Sequence, residues 1–243
     1  MALYREQGIV LRTYKLGEAD RIVHLLTQGR GKVRAVAKGL RRTTSRFGGR
    51  LEPFSHVDLQ LYEGRNLDIV TQVELLTPHA AVRADFALTA CGSAMAEAAD
   101  RVAQEDERAN SLFLLLLEGL RALARPAVDP AATLDVWLLR LADVAGYHPY
   151  LDACAGCGER GSPQPVFSIA AGGLLCPACA PPGARGMEPA AVALLRRLAS
   201  ADLYEVTLAP GEASVRRSTA ALVNSFVTYH LGKPLKSWDM VPR

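Results

Sequence analysis

Four of the chain's five cysteines fall in one stretch, CAGCGERGSPQPVFSIAAGGLLCPAC, as Cys154-x2-Cys157 and Cys176-x2-Cys179 with eighteen residues between the pairs. Thiolates at that spacing suit a tetrahedral metal. Two residues between ligands let one tight turn aim both sulfurs at one ion, and a hairpin can return the second pair to the first. Gly156 and Gly158 relax the first turn, and PVFSI and GGLLC read as the arms of the hairpin. The pattern predicts a zinc ribbon in which Cys154, Cys157, Cys176 and Cys179 hold one Zn2+ ion. Four thiolates fill the coordination shell and leave no position for a reactive water, so the zinc is expected to be structural. Nucleobase-deaminase chemistry would need H-x-E, and none of His24, His56, His79, His148 and His230 is followed two places on by Glu. Two disulfides would require an oxidising compartment, and a redox C-x-x-C sits at a helix start after a strand. Cys91 stands alone in an alanine-rich segment and reads as a small buried side chain.

The second chemical signal is charge. RGKVRAVAKGLRRTTSRFGGR carries Arg30, Lys32, Arg34, Lys38, Arg41, Arg42, Arg46 and Arg50 without one acid. Residues 1–80 hold 13 Lys/Arg against 8 Asp/Glu, while the other 163 residues hold 15 against 17. The net charge of +3 therefore belongs to the N-terminal third and points to an anionic partner there. Lys32 and Arg34 share one face of a strand. The loop that follows is rich in glycine and small hydroxyl residues, a composition suited to following phosphates without reading bases. Tyr14, Phe47, Phe54 and Tyr62 are either stacking surfaces or core. No P-loop, G-x-S-x-G or H-E-x-x-H occurs. Glu18 and Asp20 read as a turn feature rather than as nuclease carboxylates. No enzymatic activity is expected.

The elements that must position these residues come in three kinds. Residues 1–78 read as β: GIVLRTY, RIVHLLT, KVRAVAK, HVDLQLYEG and LDIVTQVELL, with Val57, Leu59 and Leu61 alternating against His56, Asp58 and Gln60. Five short strands suggest a small closed barrel of the OB-fold kind, or an SH3-like one. Residues 79–150 read as helices: one long alanine-rich helix, then SLFLLLLEGLRALA, apolar nearly all round, then DPAATLDVWLLRLADVAG with Asp129 to cap, Pro130 in the first turn and Gly146 at the stop. Helical spacing resumes in residues 183–243, behind the cysteine segment at 151–182. The predicted class is α+β and multi-domain: an N-terminal OB-fold barrel, then a C-terminal α-helical domain with an inserted four-cysteine zinc ribbon. The longest strictly apolar run, Leu112–Leu117, is far short of a membrane span, and MALYREQGIV lacks the features of a signal peptide. A cytoplasmic protein with no membrane partner is expected.

Taken together and in order, these pieces resemble the bacterial recombination mediator RecO family. The resemblance is carried by VLRTYKLGEADRIVHLLTQGRGKVRAVAKGLRR, LEPFSHVDLQLY, LLRLADVAGYHPYLDACAGCG, FSIAAGGLLCPAC and YHLGKPLKSW, and it covers most of the chain. It implies binding to single- and double-stranded DNA without sequence specificity and annealing of complementary strands coated with single-strand-binding protein. It also implies loading of RecA with the partner RecR, and with RecF in many bacteria, in the cytoplasm at the nucleoid. Some family members lack the cysteines, which supports a structural role for zinc. An RNA-binding barrel-plus-ribbon protein and a zinc-dependent enzyme are the two alternative classes.

Overall fold

The computed structural model describes residues 2–41, 45, 47–209 and 212–242, the side chain of Ala213 excepted. Five strands form a closed barrel: β1 (Leu3–Leu16), β2 (Asp20–Thr27), β3 (Gly31–Ala37), β4 (His56–Tyr62) and β5 (Asp68–Thr77), in the order β1-β2-β3-β5-β4. The β3–β5 pairing is parallel and the others are antiparallel. Period-two alternation makes the barrel possible. In β3, Val33, Ala35 and Ala37 turn inward, while Lys32, Arg34 and Val36 lie on the other face. The interior is filled by Val10, Val23, Leu25, Leu59, Leu61 and Val70, among others, and capped by Phe47 and Leu51.

The helices are α1 (Ala80–Ala84), α2 (Phe86–Val102), α3 (Asn110–Leu123), α4 (Pro130–Val144), α5 (Pro189–Ser200) and α6 (Ala213–Leu231); β6 (Val166–Ser168) and β7 (Gly173–Leu175) form the separate hairpin. The alanine-rich stretch, expected as one helix, is two. Asp85 breaks it in extended backbone and caps α2 by accepting from the Leu88 N–H at 2.9 Å. Asp129 caps α4 as expected, accepting from the Ala132 N–H at 2.8 Å, and Gly146 follows the helix with φ 84.

Two compact units result: Met1–Arg125 with Lys236–Val241, and Pro126–Leu235 with Pro242–Arg243. The change near residue 78 is thus one of secondary structure and not of compact unit. Ile9 and Leu26, on the barrel strands, are wholly buried, and α2 and α3 pack against β1 and β2 in the same unit. The loop after α2 also closes onto the β2–β3 turn. The Lys32 N–H donates to the Gln104 carbonyl at 2.9 Å, and the Asp106 N–H donates to the Arg30 carbonyl at 3.1 Å. Gly31 makes this approach possible: it has φ +60, and a Cβ there would lie 2.3 Å from the Gln104 carbonyl oxygen. In the second unit, α4, α5 and α6 pack around Trp137, Leu138, Leu194, Val223 and Phe226, and Arg216 pairs with the capping Asp129 at 2.7 Å.

Two buried histidines give the first unit a signature in acid. Burial, then the neighbouring His56, Arg121 and Arg83, hold the His79 ring down at about 4; burial and Arg121 hold His56 below its ordinary range. Both rings are neutral in the folded protein at neutral pH, and the unfolded chain protonates them first as pH falls. Stability should therefore be flat above about 6.5 on their account. It should fall by up to about 1.4 kcal/mol per pH unit on account of His79 on the way down towards 4, with His56 acting in the same direction. Urea midpoints of wild type and His79→Gln across that range check this; the variant's curve should be the flatter.

Candidate nucleic-acid interface and metal centre

Strand register builds one side of the barrel. Arg12 on β1 lies opposite His24 on β2, and His24 opposite Arg34 on β3. The next outward row is Tyr14, Ile22 and Val36. The Arg12 guanidinium carbon sits 5.6 Å from the centre of the Tyr14 ring, and His24 meets that ring edge-on at 5.2 Å. Tyr14 is 47% exposed. The His24 ring is kept below its ordinary pKa by burial first and by the Arg12 charge next. The result, on three adjacent strands, is a row of two arginines flanking a neutral imidazole, next to a row that carries the exposed Tyr14 ring beside Ile22 and Val36.

The eight cations expected to meet phosphate divide into groups. Arg34 is on this face and pairs with Glu105 at 3.1 Å, both side chains about half exposed. Such a pair is worth little in water and yields readily to a phosphate. Lys38 is exposed at the end of β3. Arg41 is exposed and donates to the Glu18 carbonyl at 2.9 Å, at the β1–β2 turn; Asp20 in the same turn accepts the Gly39 N–H at 2.7 Å, a structural role. Arg50 is exposed on the 3-10 turn Gly48–Leu51 and donates to the Phe47 carbonyl at 3.3 Å. Lys32 and Arg30 are differently placed. Lys32 faces Asp100 at 3.5 Å, and Asp100, only 8% exposed, also takes a 2.7 Å hydrogen bond from Arg12. Arg30 stacks on Tyr4 at 4.0 Å and faces Glu63 at 3.6 Å. Arg42 and Arg46 lie outside the described residues.

The basic stretch has no acid in its own sequence, yet Asp100, Glu105 and Glu63 come to it from other elements. Of the four aromatic candidates, Phe47 and Phe54 are core, and Tyr14 and Tyr62 are exposed. Sequence reasoning passed over Arg12 and His24, whose signal lies in the hairpin: counting outward from the β1–β2 turn places both beside Arg34.

In the second unit, the cysteine pairs are the two knuckles of a ribbon joined by β6 and β7. The Gly158 N–H donates to the Cys154 carbonyl at 2.8 Å, and the Ala180 N–H to the Cys176 carbonyl at 3.0 Å, closing each turn. All four sulfurs lie within 4.8 Å of one another, and the five cysteines are free thiols. Cys157 Sγ and Cys176 Sγ are 3.7 Å apart. A tetrahedral ion holding sulfur at about 2.3 Å requires sulfur–sulfur separations of about 3.8 Å, so this donor set fits a metal of that preference. The Cys154 thiol is pulled down to about 6, first by the Cys176 N–H and then by those of Cys157 and Gly156. Cys179 is pushed up to about 12 by the sulfurs around it, Cys157 first. A dication among them would reverse that mutual opposition. No helix among the described residues is long and apolar enough to cross a membrane.

A closed five-stranded barrel with a basic outer face, followed in the chain by helices and by a four-cysteine cluster that could hold a metal ion, defines a modular barrel-and-ribbon protein. Residues 1–79 match the family described as Recombination protein O N terminal, and residues 83–239 match Recombination protein O C terminal. The chain is 49% identical to the DNA repair protein RecO of a Nocardioides species, over 99% of this chain and 100% of that one. It is 48% identical to the DNA repair protein RecO of Thermobifida fusca and 46% to that of Streptomyces griseus, over the whole of both chains in each case. The chain belongs to the RecO family of DNA repair proteins.

Proposed function

We propose that this chain is a recombination mediator that binds single- and double-stranded DNA without sequence specificity and anneals complementary strands. With RecR, and with RecF through RecR, it would help load RecA on DNA coated with single-strand-binding protein. The observation that carries the reading is the register row Arg12–His24–Arg34 beside exposed Tyr14, continued by Lys38 and Arg41. Cations on a rigid sheet neutralise phosphate without contacting base edges, and an exposed ring stacks on any base. Holding two strands on neutralising side chains lowers their repulsion and lets complementary bases meet. Arg34, Lys38, Arg41 and Arg50 are the phosphate contacts this reading favours, with Arg42 and Arg46 of the same stretch. Lys32 and Arg30 act at most secondarily, because their carboxylate and ring partners must first be given up; Arg12 shares Asp100 with Lys32 but keeps 43% of its side chain exposed, against 23% for Lys32.

The same reading makes residues 1–78 the nucleic-acid-binding domain and residues 151–182 a ribbon inserted in the helical part, holding one zinc ion through Cys154, Cys157, Cys176 and Cys179. The zinc would supply a fold clasp and no chemistry, because four thiolates complete its shell. The protein would work in the cytoplasm, at the nucleoid. Annealing of complementary DNA oligonucleotides coated with single-strand-binding protein, compared with RNA oligonucleotides and with and without EDTA, tests the proposal. Annealing of DNA should proceed without nucleotide or added metal and persist under chelation as long as the barrel stays folded. Activity that vanishes with the metal while the barrel remains folded, or that favours RNA, would refute it.

A further inference from the structure

Within the first unit a cleft of about 380 Å³ opens beside the cationic face, between β1, Pro53–Phe54, the middle and last turns of α2 and Lys236–Ser237. It is of a size that takes a small organic group. Its apolar surface comes from Leu11, Pro53, Phe54 and Ala96. Arg12 and Tyr14 stand at once on the outer face of the barrel and in the wall of the cleft, so whatever follows that face passes its mouth.

The polar groups of the cleft select further. Its two carboxylates are already engaged. Glu97 accepts the N–H groups of Lys236 and Ser237 at 3.0 and 2.9 Å and the Ser237 hydroxyl at 2.8 Å, and it pairs with Arg101. Asp100 is held by Arg12 and Lys32. What remains for a visitor is cationic: the exposed Lys236 side chain and the Arg12 guanidinium, 43% exposed and with one edge on Asp100. The chemistry is an apolar slot with a flat aromatic wall and positive charge at its rim. It fits a planar, largely uncharged group attached to an anion.

We infer that this cleft receives a single nucleobase turned out of a bound single strand, with the adjoining phosphate against Arg12 and Lys236. This rests on the proposed binding of single strands by the same face. The base lies on the apolar surface against Tyr14, and the carboxylates, being engaged, do not compete for it. Such a site holds the strand at one point in a fixed register and keeps one base out of the stack.

The test compares wild-type full-length protein with Ser93→Trp, a cleft-lining change that fills the space and alters no charge. Two probes are used: a thymidine oligonucleotide and a strand of the same length made of abasic sugar-phosphate. Removing one stacked base from the complex should lower the thymidine-to-abasic affinity ratio at least about fivefold in the variant. As a second readout, wild type bound to an oligonucleotide bearing 5-iodouridine should crosslink at Tyr14, and the crosslink should vanish in Ser93→Trp. An unchanged ratio in a folded variant, or crosslinks confined to other residues, overturns the inference while strand binding itself stands. Wild type that holds neither strand overturns the proposed function instead. Loss of an acidic, carboxylate-ended peptide from Ser93→Trp with strand binding untouched would assign the cleft to a peptide, against the inference.

Discussion

Replacing Cys154 by serine is expected to cost the protein its metal and to unfold the ribbon. The local core there is Cys154, Leu175 and Cys176, with Ala180 packed against them. Two of those three buried residues are themselves ligands in the proposed site. Two strands of three residues each cannot sustain independent structure by hydrogen bonding alone. Structural zinc in segments of this size supplies roughly 10–16 kcal/mol of binding free energy, and most of the ribbon's order would be drawn from it. The metal content should drop from about one ion per chain to none. The ribbon's amides should lose their protection from hydrogen exchange, while those of β1–β5 keep theirs. Chelation of the wild type should give the same pattern. Ribbon amides as protected in the serine variant as in wild type would show that the sulfurs are not the clasp.

The second large effect belongs to the barrel. Reversing Arg34, Lys38 and Arg41 to glutamate together should weaken binding of a single strand by roughly 10²-fold or more at physiological salt. It should also flatten the dependence of log K on log salt by about 2, since each phosphate contact on a single strand contributes about 0.7. The three side chains are exposed, and Arg34's ion pair is an exposed one, so the melting temperature should hardly move. Lys32→Glu alone is a poor substitute for this experiment. It would place a carboxylate against buried Asp100 and cost stability, confusing loss of fold with loss of binding. Fluorescence anisotropy between about 50 and 200 mM salt measures both quantities. A salt slope unchanged in the triple variant would move the phosphate contacts elsewhere.

The extent to which these sites could be read from the chain depends on how local their determinants are. Alternation in HVDLQLY and the inward Val33, Ala35 and Ala37 are properties of single strands, so the barrel was legible. The ribbon was legible because ligand spacing encodes the turn and the return directly. Asp129, Pro130 and Gly146 announced α4 for the same reason. The barrel's cover was hidden, because nothing in α2 or α3 says which surface they pack on. That surface belongs to β1 and β2, where wholly buried Ile9 and Leu26 lie sixty residues or more before those helices. Asp85 was equally quiet: a lone acid in an alanine-rich run reads as a surface residue until its carboxylate is seen capping. The charge pattern was the most misleading. Eight cations without an acid looked uniformly available, but neutralisation is a matter of space. Asp100 and Glu105, at the end of α2 and in the loop after it, reach Lys32 and Arg34, and Glu105 is about half exposed while Asp100 is buried. The burial of the partner and the exposure left to the cation itself, which no local pattern records, decide which cation is free to meet phosphate.

The central claim is that the outer face of β1, β2 and β3 carries the nucleic-acid backbone. Hydroxyl-radical footprinting of the full-length protein, with and without a thymidine oligonucleotide, tests it most directly. The account predicts that the strand shields Tyr14, His24 and Arg34, together with Lys38 and Arg41, while the equally exposed tyrosines of the second unit, Tyr147 and Tyr229, react as before. Shielding of Tyr147 and Tyr229 with Tyr14 and His24 left reactive would contradict it.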